Sequence, residues 1–132
     1  MTYTQTRPAI VVASEDHEEL IDLALKALGR APGAALLLQE MQRAKVVPAA
    51  DLPRNVLAMN DGVTFAYDGA TYRDFQLVYP TCANFADGRI SVLTPVGAAL
   101  IGLAENDVIR WPGEHGDTHE LIVTHVAPRR AH

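Results

Sequence analysis

The 132 residues include one cysteine, Cys82, so no internal disulfide can form and a reducing, cytoplasmic setting is expected. No apolar run approaches the roughly 20 residues that span a bilayer, so no membrane association is expected. The longest runs, around residues 34–38 and 96–103, are short and interrupted. Residues 1–8 lack the basic, apolar and small-residue succession of an export signal. Positive charge is in deficit as well, the formal net charge being −5. Phosphate binding needs a concentrated basic surface, which makes free nucleic acid a poor partner. Up to Lys45 the chain carries 5 Lys/Arg against 6 Asp/Glu, and beyond it 6 against 10. The acidic second part suits a basic protein surface better than a polyanion, although solubility alone explains the same balance.

Fingerprints of chemistry are missing too. The glycines form neither a G-x-x-x-x-G-K-[ST] loop nor a G-x-G-x-x-G turn. His115 and His119 have the i, i+4 spacing of helical metal ligands. Gly113 and Gly116 instead make that segment a loop, and the glutamate of H-E-x-x-H is absent. Cys82 sits in no local motif that would activate a thiolate. Glu15, Asp16, Glu18 and Glu19 offer oxygen ligands to a hard cation. Their place in the first turn of a helix is already explained by the helix dipole. No catalytic residue, metal site or cofactor is assigned.

What the chain does have is 48 % hydrophobic residues, enough for a real core in one compact unit. Residues 9–13 read as a β-rich stretch, with Ser14 as N-cap of a helix. Leu20, Leu23, Ala24, Ala27 and Leu28 form its apolar stripe. The turn Gly29, Arg30, Ala31, Pro32 and Gly33 ends it. A second stripe runs through Ala34, Leu37, Leu38 and Met41, stopped before Pro48. Together they predict an antiparallel helical hairpin, an arm of roughly 20 Å that leans on the adjoining domain. From Asn55 the period becomes two. Val63, Phe65 and Tyr67 precede the hairpin turn Asp68-Gly69, and Phe75, Leu77 and Tyr79 come after it. Ile90 and Val92 mark a third strand. Thr94-Pro95 opens a helix with a cap and proline at N1, ending at Gly102. Residues 108–111 and 121–126 predict two last strands around a loop at 112–118. The expectation is an α+β protein with an antiparallel sheet and one helix, divided into residues 1–50 and 51–132.

Three stretches resemble one family. Residues 51–60 (DLPRNVLAMN) resemble the segment joining hairpin to globular domain in Rnk-like proteins, the regulators of nucleoside diphosphate kinase. Residues 77–80 (LVYP) resemble the end of their central strand. From Thr94 the chain is similar to S-P-x-G-x-A-L-x-G-x-x-x-G-D, shared with the C-terminal domain of Gre transcript-cleavage factors. Pro95, Gly97, Ala99, Leu100, Gly102 and Asp107 match it. Thr94 replaces the serine and keeps its capping hydroxyl. Asn106 replaces a glycine and is the next best residue for a positive φ.

The resemblance implies an FKBP-like globular domain behind a short coiled-coil hairpin. It also implies docking on RNA polymerase core enzyme, at the rim coiled coil of the beta-prime subunit, through Leu93, Thr94, Pro95, Val96 and Gly97, with Asn60 and Asp107 nearby. In Gre factors, acidic residues at the hairpin tip hold the metal ion for transcript cleavage. Here the tip has no carboxylate, and Arg30 would repel a cation. The expectation is therefore a monomeric, non-enzymatic regulator of transcription that competes with Gre factors and affects the kinase indirectly. One alternative is a direct binding partner of nucleoside diphosphate kinase or another enzyme. Another is a peptidyl-prolyl isomerase, which would need an aromatic-lined pocket from Phe65, Tyr67, Tyr72, Phe75, Tyr79, Phe85 and Trp111, several of them committed to strands.

Overall fold

The computed structural model describes residues 7–112 and 115–129. Residues 1–6, which carry most of the segment read for an export signal, lie outside the described residues, as do 113 and 114 of the expected last loop. The chain opens with β1 (Val11–Ala13), passes through α1 (Ser14–Ala27) and α2 (Ala34–Arg43), and continues into β2 (Lys45–Val47). The two apolar stripes turn towards each other and the rest of the molecule, burying Leu20 and Ala24 of α1 and Leu37 and Met41 of α2. Leu28 leaves the expected stripe. It stands just past the last helical residue with ψ 133° and is 42 % exposed.

Ser14 is not the N-cap. Ala13 occupies that position with no side-chain hydrogen bond, and Ser14 Oγ donates to Glu15 Oε1 at 2.9 Å. The cause is β1, which pairs in parallel with β2 from Val11↔Lys45 to Ala13↔Val47. Ala13 is held extended and buried by that pairing, and the helix begins one residue later. The same pairing ties the two feet of the hairpin together.

The larger sheet contains β3 (Gly62–Tyr67), β4 (Ala70–Val78), β5 (Arg89–Ser91), β6 (Val108–Pro112) and β7 (Thr118–Ala127), in the order β5-β4-β3-β7-β6. Asp68 and Gly69 adopt positive φ at the β3–β4 turn, as an Asp-Gly hairpin turn demands. Three of its pairs are antiparallel, as expected, but β4 and β5 run parallel from Gln76↔Arg89 to Val78↔Ser91. Parallel neighbours need a returning connection. Here it passes through short 3-10 turns at Pro80–Cys82 and Phe85–Asp87 and comes back where the Gln76 N–H donates to Gly88 O at 2.7 Å. The sheet is therefore mixed, within the α+β layout the sequence predicts.

The short helix α3 (Pro95–Leu100) buries Gly97, Ala98, Ala99 and Leu100. One apolar cluster contains Leu20, Leu37 and Met41 of the hairpin together with Phe65, Leu77, Leu100, Leu121 and Val123. A hairpin this short is marginal alone, so this shared burial holds it in place.

Candidate functional site

The start of α3 is organised by one residue. Thr94 Oγ1 donates to Ser91 O at 2.7 Å and accepts the Gly97 N–H at 3.0 Å. Ser91 Oγ in turn accepts the Leu93 N–H at 3.0 Å. Pro95 occupies the first helical turn, where its missing N–H costs nothing. Gly97 must be glycine for a different reason, since a Cβ there would run into Ser91 O. Residues 93–97 thus form a rigid, self-satisfied turn. Leu93, Thr94, Pro95 and Val96 are half-buried and Gly97 is buried.

The hairpin tip lies against this turn. The Arg30 and Ala31 N–H groups both donate to Ala27 O, at 2.9 and 3.0 Å, closing the end of α1. The Gly33 N–H then donates to Leu93 O at 2.8 Å. At the other end, the Lys45 N–H reaches Ile10 O at 2.9 Å and the Val11 N–H reaches Gly102 O at 3.2 Å. The start of α2 therefore meets the start of α3, and the feet of the hairpin meet the end of α3. The hairpin lies along the globular part instead of projecting from it. No residue pattern signals the tip contact, because Gly33 and Leu93 are joined only through their backbones.

Asn60 and Asp107 serve turns. Asn60 is exposed with φ 72°. Its N–H donates to Leu77 O at 2.6 Å, and its carbonyl accepts Gln76 Nε2 at 2.9 Å. Asp107 Oδ2 accepts the Ala104 N–H at 2.9 Å, closing the turn after α3. Asn106 takes φ 75° there, in keeping with its replacement of a glycine.

Glu15 and Glu19 of α1 have protein partners. Glu15 Oε1 accepts the Ala49 N–H at 3.0 Å. Hydrogen bonds from its own amide, from Ser14 and from Ala49 hold its carboxyl below the usual range. Glu19 accepts the Tyr79 hydroxyl at 2.9 Å. Burial, reinforced by that bond, pushes the Tyr79 phenol upward. Among the described residues no group of three or more His, Cys, Asp or Glu is placed to hold a metal ion. Cys82 is exposed in its 3-10 turn.

One pairing escaped the sequence reading. His119 belongs to β7 and not to a loop. Its Nδ1 lies 2.7 Å from Asp68 Oδ2, and its ring stacks on Tyr67. The bond to Asp68 raises the imidazole pKa, and the bonds from His119 and the Glu120 N–H lower that of Asp68. Among the aromatics considered for an isomerase pocket, Phe65, Tyr67, Tyr72 and Phe85 surround an apolar cavity of about 140 Å³, completed by Ile90 and Val96. Four of the seven aromatics available for an isomerase pocket thus meet beside the start of α3.

Residues 52–128, everything from the end of the hairpin to the end of β7, match the family described as transcription elongation factor, GreA/GreB, C-term. The chain belongs to the GreA/GreB C-terminal family. Along its whole length it is similar to the regulator of nucleoside diphosphate kinase of Escherichia coli K12, 35 % identical over 96 % of each chain. The Shigella flexneri protein of that name gives the same figures. Among solved structures, a prokaryotic transcription elongation factor GreA/GreB from Nitrosomonas europaea superposes with a TM-score of 0.70 at 34 % identity. That match covers 92 % of this chain and all of the other. The relatives are named as regulators and elongation factors, and this chain is a transcription-elongation-factor-like regulator. Among the described residues no helix is long and apolar enough to cross a membrane.

Proposed function

We propose that this protein is an accessory regulator that binds RNA polymerase core enzyme at the rim of its secondary channel. It competes there with Gre-type factors and does not stimulate transcript cleavage. Family membership supports the binding, and the rigid turn at residues 93–97 supplies the contact.

The observation that carries the non-cleaving part is the seat of the hairpin tip. Metal-assisted hydrolysis requires oxygen ligands placed at the reacting centre. The tip, residues 29–33, contains no carboxylate and is hydrogen-bonded to Leu93, while the acid cluster Glu15, Asp16, Glu18 and Glu19 stands at the far end of a helix about 21 Å long. The arm has neither the ligands nor the reach.

The test is a stalled elongation complex with labelled RNA and Mg²⁺. This protein should displace a Gre factor and lower its cleavage yield, while releasing no 3′ fragments itself. Failure to displace at saturating concentration overturns the shared site, and fragment release overturns the non-enzymatic assignment.

The name of the Escherichia coli relative favours a second reading, direct contact with nucleoside diphosphate kinase. Purified kinase that binds where purified polymerase does not would establish it.

A further inference from the structure

The seat of the tip joins two segments that are 60 residues apart in sequence. Gly33 is buried, and a Cβ there would run into Leu93 O and the Thr94 carbonyl, so the approach is backbone to backbone. On one side of this seam stand Leu28, 42 % exposed, and the exposed Arg30 and Pro32. On the other stand Leu93, Pro95 and Val96, each half-buried. Arg30 makes no ion pair among the described residues. The Thr94 hydroxyl is already engaged on both sides and has little left to offer a partner.

Charge at the seam differs from charge in the chain as a whole. Net charge is −5, and four of the five acids of α1, Glu15, Asp16, Glu18 and Glu19, lie in the half of the helix nearer its start. Among the residues of the seam the only formal charge is that of Arg30. We infer that the hairpin tip and residues 93–97 form one composite docking surface, and that Gly33 positions the tip within it. Its occupant is a segment of the polymerase partner that presents an apolar side chain next to a carboxylate. Apolar contact with Leu28, Pro32 and Val96 supplies the burial, and the guanidinium of Arg30 sets the register. This inference rests on the reading of residues 93–97 as the docking turn. It adds that the tip lies on the rim beside that turn, outside the channel.

Purified polymerase core enzyme is the probe. Arg30→Glu and Leu28→Ser, both at exposed positions, should each weaken binding about five- to tenfold with unchanged melting temperature. Gly33→Ala should weaken it while leaving Leu28 and Arg30 intact. If that variant melts early, the first two still decide. Lys45→Glu, at the feet of the hairpin, should bind as the native chain does. Photo-crosslinkers at Pro32 and at Val96 should label the same polymerase subunit.

If Thr94→Ala and Pro95→Ala lose affinity while Arg30→Glu and Leu28→Ser do not, the composite surface is overturned and the docking turn survives. No binding by the native protein overturns both. A dimer in solution that Leu28→Ser dissociates overturns the inference by showing the patch to be filled by a second copy.

Discussion

Glu40 and Asp61 are both fully buried, yet the two carboxylates are satisfied by different means. Glu40, on α2, is gripped by cations. Its Oε1 accepts Arg43 Nη2 at 2.7 Å, and its Oε2 accepts Arg43 Nε at 2.9 Å and Arg7 Nη1 at 2.8 Å. Asp61, just before β3, has two backbone amides among its partners. Its Oδ2 accepts the Ala58 N–H at 3.0 Å and its Oδ1 the Arg129 N–H at 2.9 Å. Each ties a distant part of the chain to its half of the molecule. The first catches the segment before β1, where Arg43 Nη1 also reaches Pro8 O at 2.6 Å, and the second catches the segment after β7. The difference matters because a guanidinium can be removed by substitution and a backbone N–H cannot. The grip on Glu40 thus depends on side chains that one substitution removes, whereas the two amide bonds to Asp61 survive a change of side chain at Arg129.

The sharpest way to break that comparison is Arg43→Ala. It removes two of the three bonds to Glu40 and leaves a buried carboxylate with Arg7 alone, so a loss of about 3 kcal/mol is expected in chemical denaturation. Arg129→Ala should change stability far less, because its amide remains. Next in size is Asp61→Asn, which puts a donor where an acceptor is needed and should cost about 1–3 kcal/mol. Glu40→Gln against Asp61→Asn then asks whether the formal charge matters more on the helical side. Thr94→Ala should cost about 1 kcal/mol, the value of one helix cap. It leaves both carboxylates untouched and serves as the scale for the other two.

The smallest effect is at His119, which is paired in the open. The raised imidazole pKa stabilises the fold fully below the ordinary value of 6.5, and this is lost as pH rises through the elevated one. The lowered pKa of Asp68 stabilises above its ordinary 3.8 and is lost as pH falls through the depressed value. The melting difference between native protein and His119→Gln should therefore be largest near pH 5 and shrink towards about pH 9. Added salt should reduce it. A difference that grows with pH would show that the pair does not titrate as its geometry demands.

The sequence made some of these elements plain and hid others, and range along the chain separates the two. Asp68-Gly69 between alternating runs, and Thr94-Pro95 before small residues, each carry their signal within a few positions, and both are where they were expected. The β1–β2 pair has three residues per strand and no periodicity to detect, and its pairing displaced the expected cap from Ser14. The parallel β5 depends on two 3-10 turns that fold the chain back on itself. Glu40 sits between Leu37 and Met41 on the buried face of α2. Arg43 at i+3 was a visible partner, but Arg7 lies far upstream. The turn at residues 93–97 was legible as a motif. The tip that lies against it was not, because a glycine amide meeting a carbonyl leaves no side-chain pattern.

The parallel clasp of β1 and β2 has a consequence for how such a molecule can vary. It joins the chain before α1 to the chain after α2, so the hairpin is a detour that begins and ends at one place. Residues added at the turn lengthen the detour without moving its anchorage. About seven more in each helix would carry the tip about 10 Å past Leu93. The short form lies flat on its own domain and the long form becomes a probe, so hairpin length acts as a ruler graduated in helical turns. A lengthened chain of this kind should keep its clasp and its sheet and lose only the bond from Gly33 to Leu93.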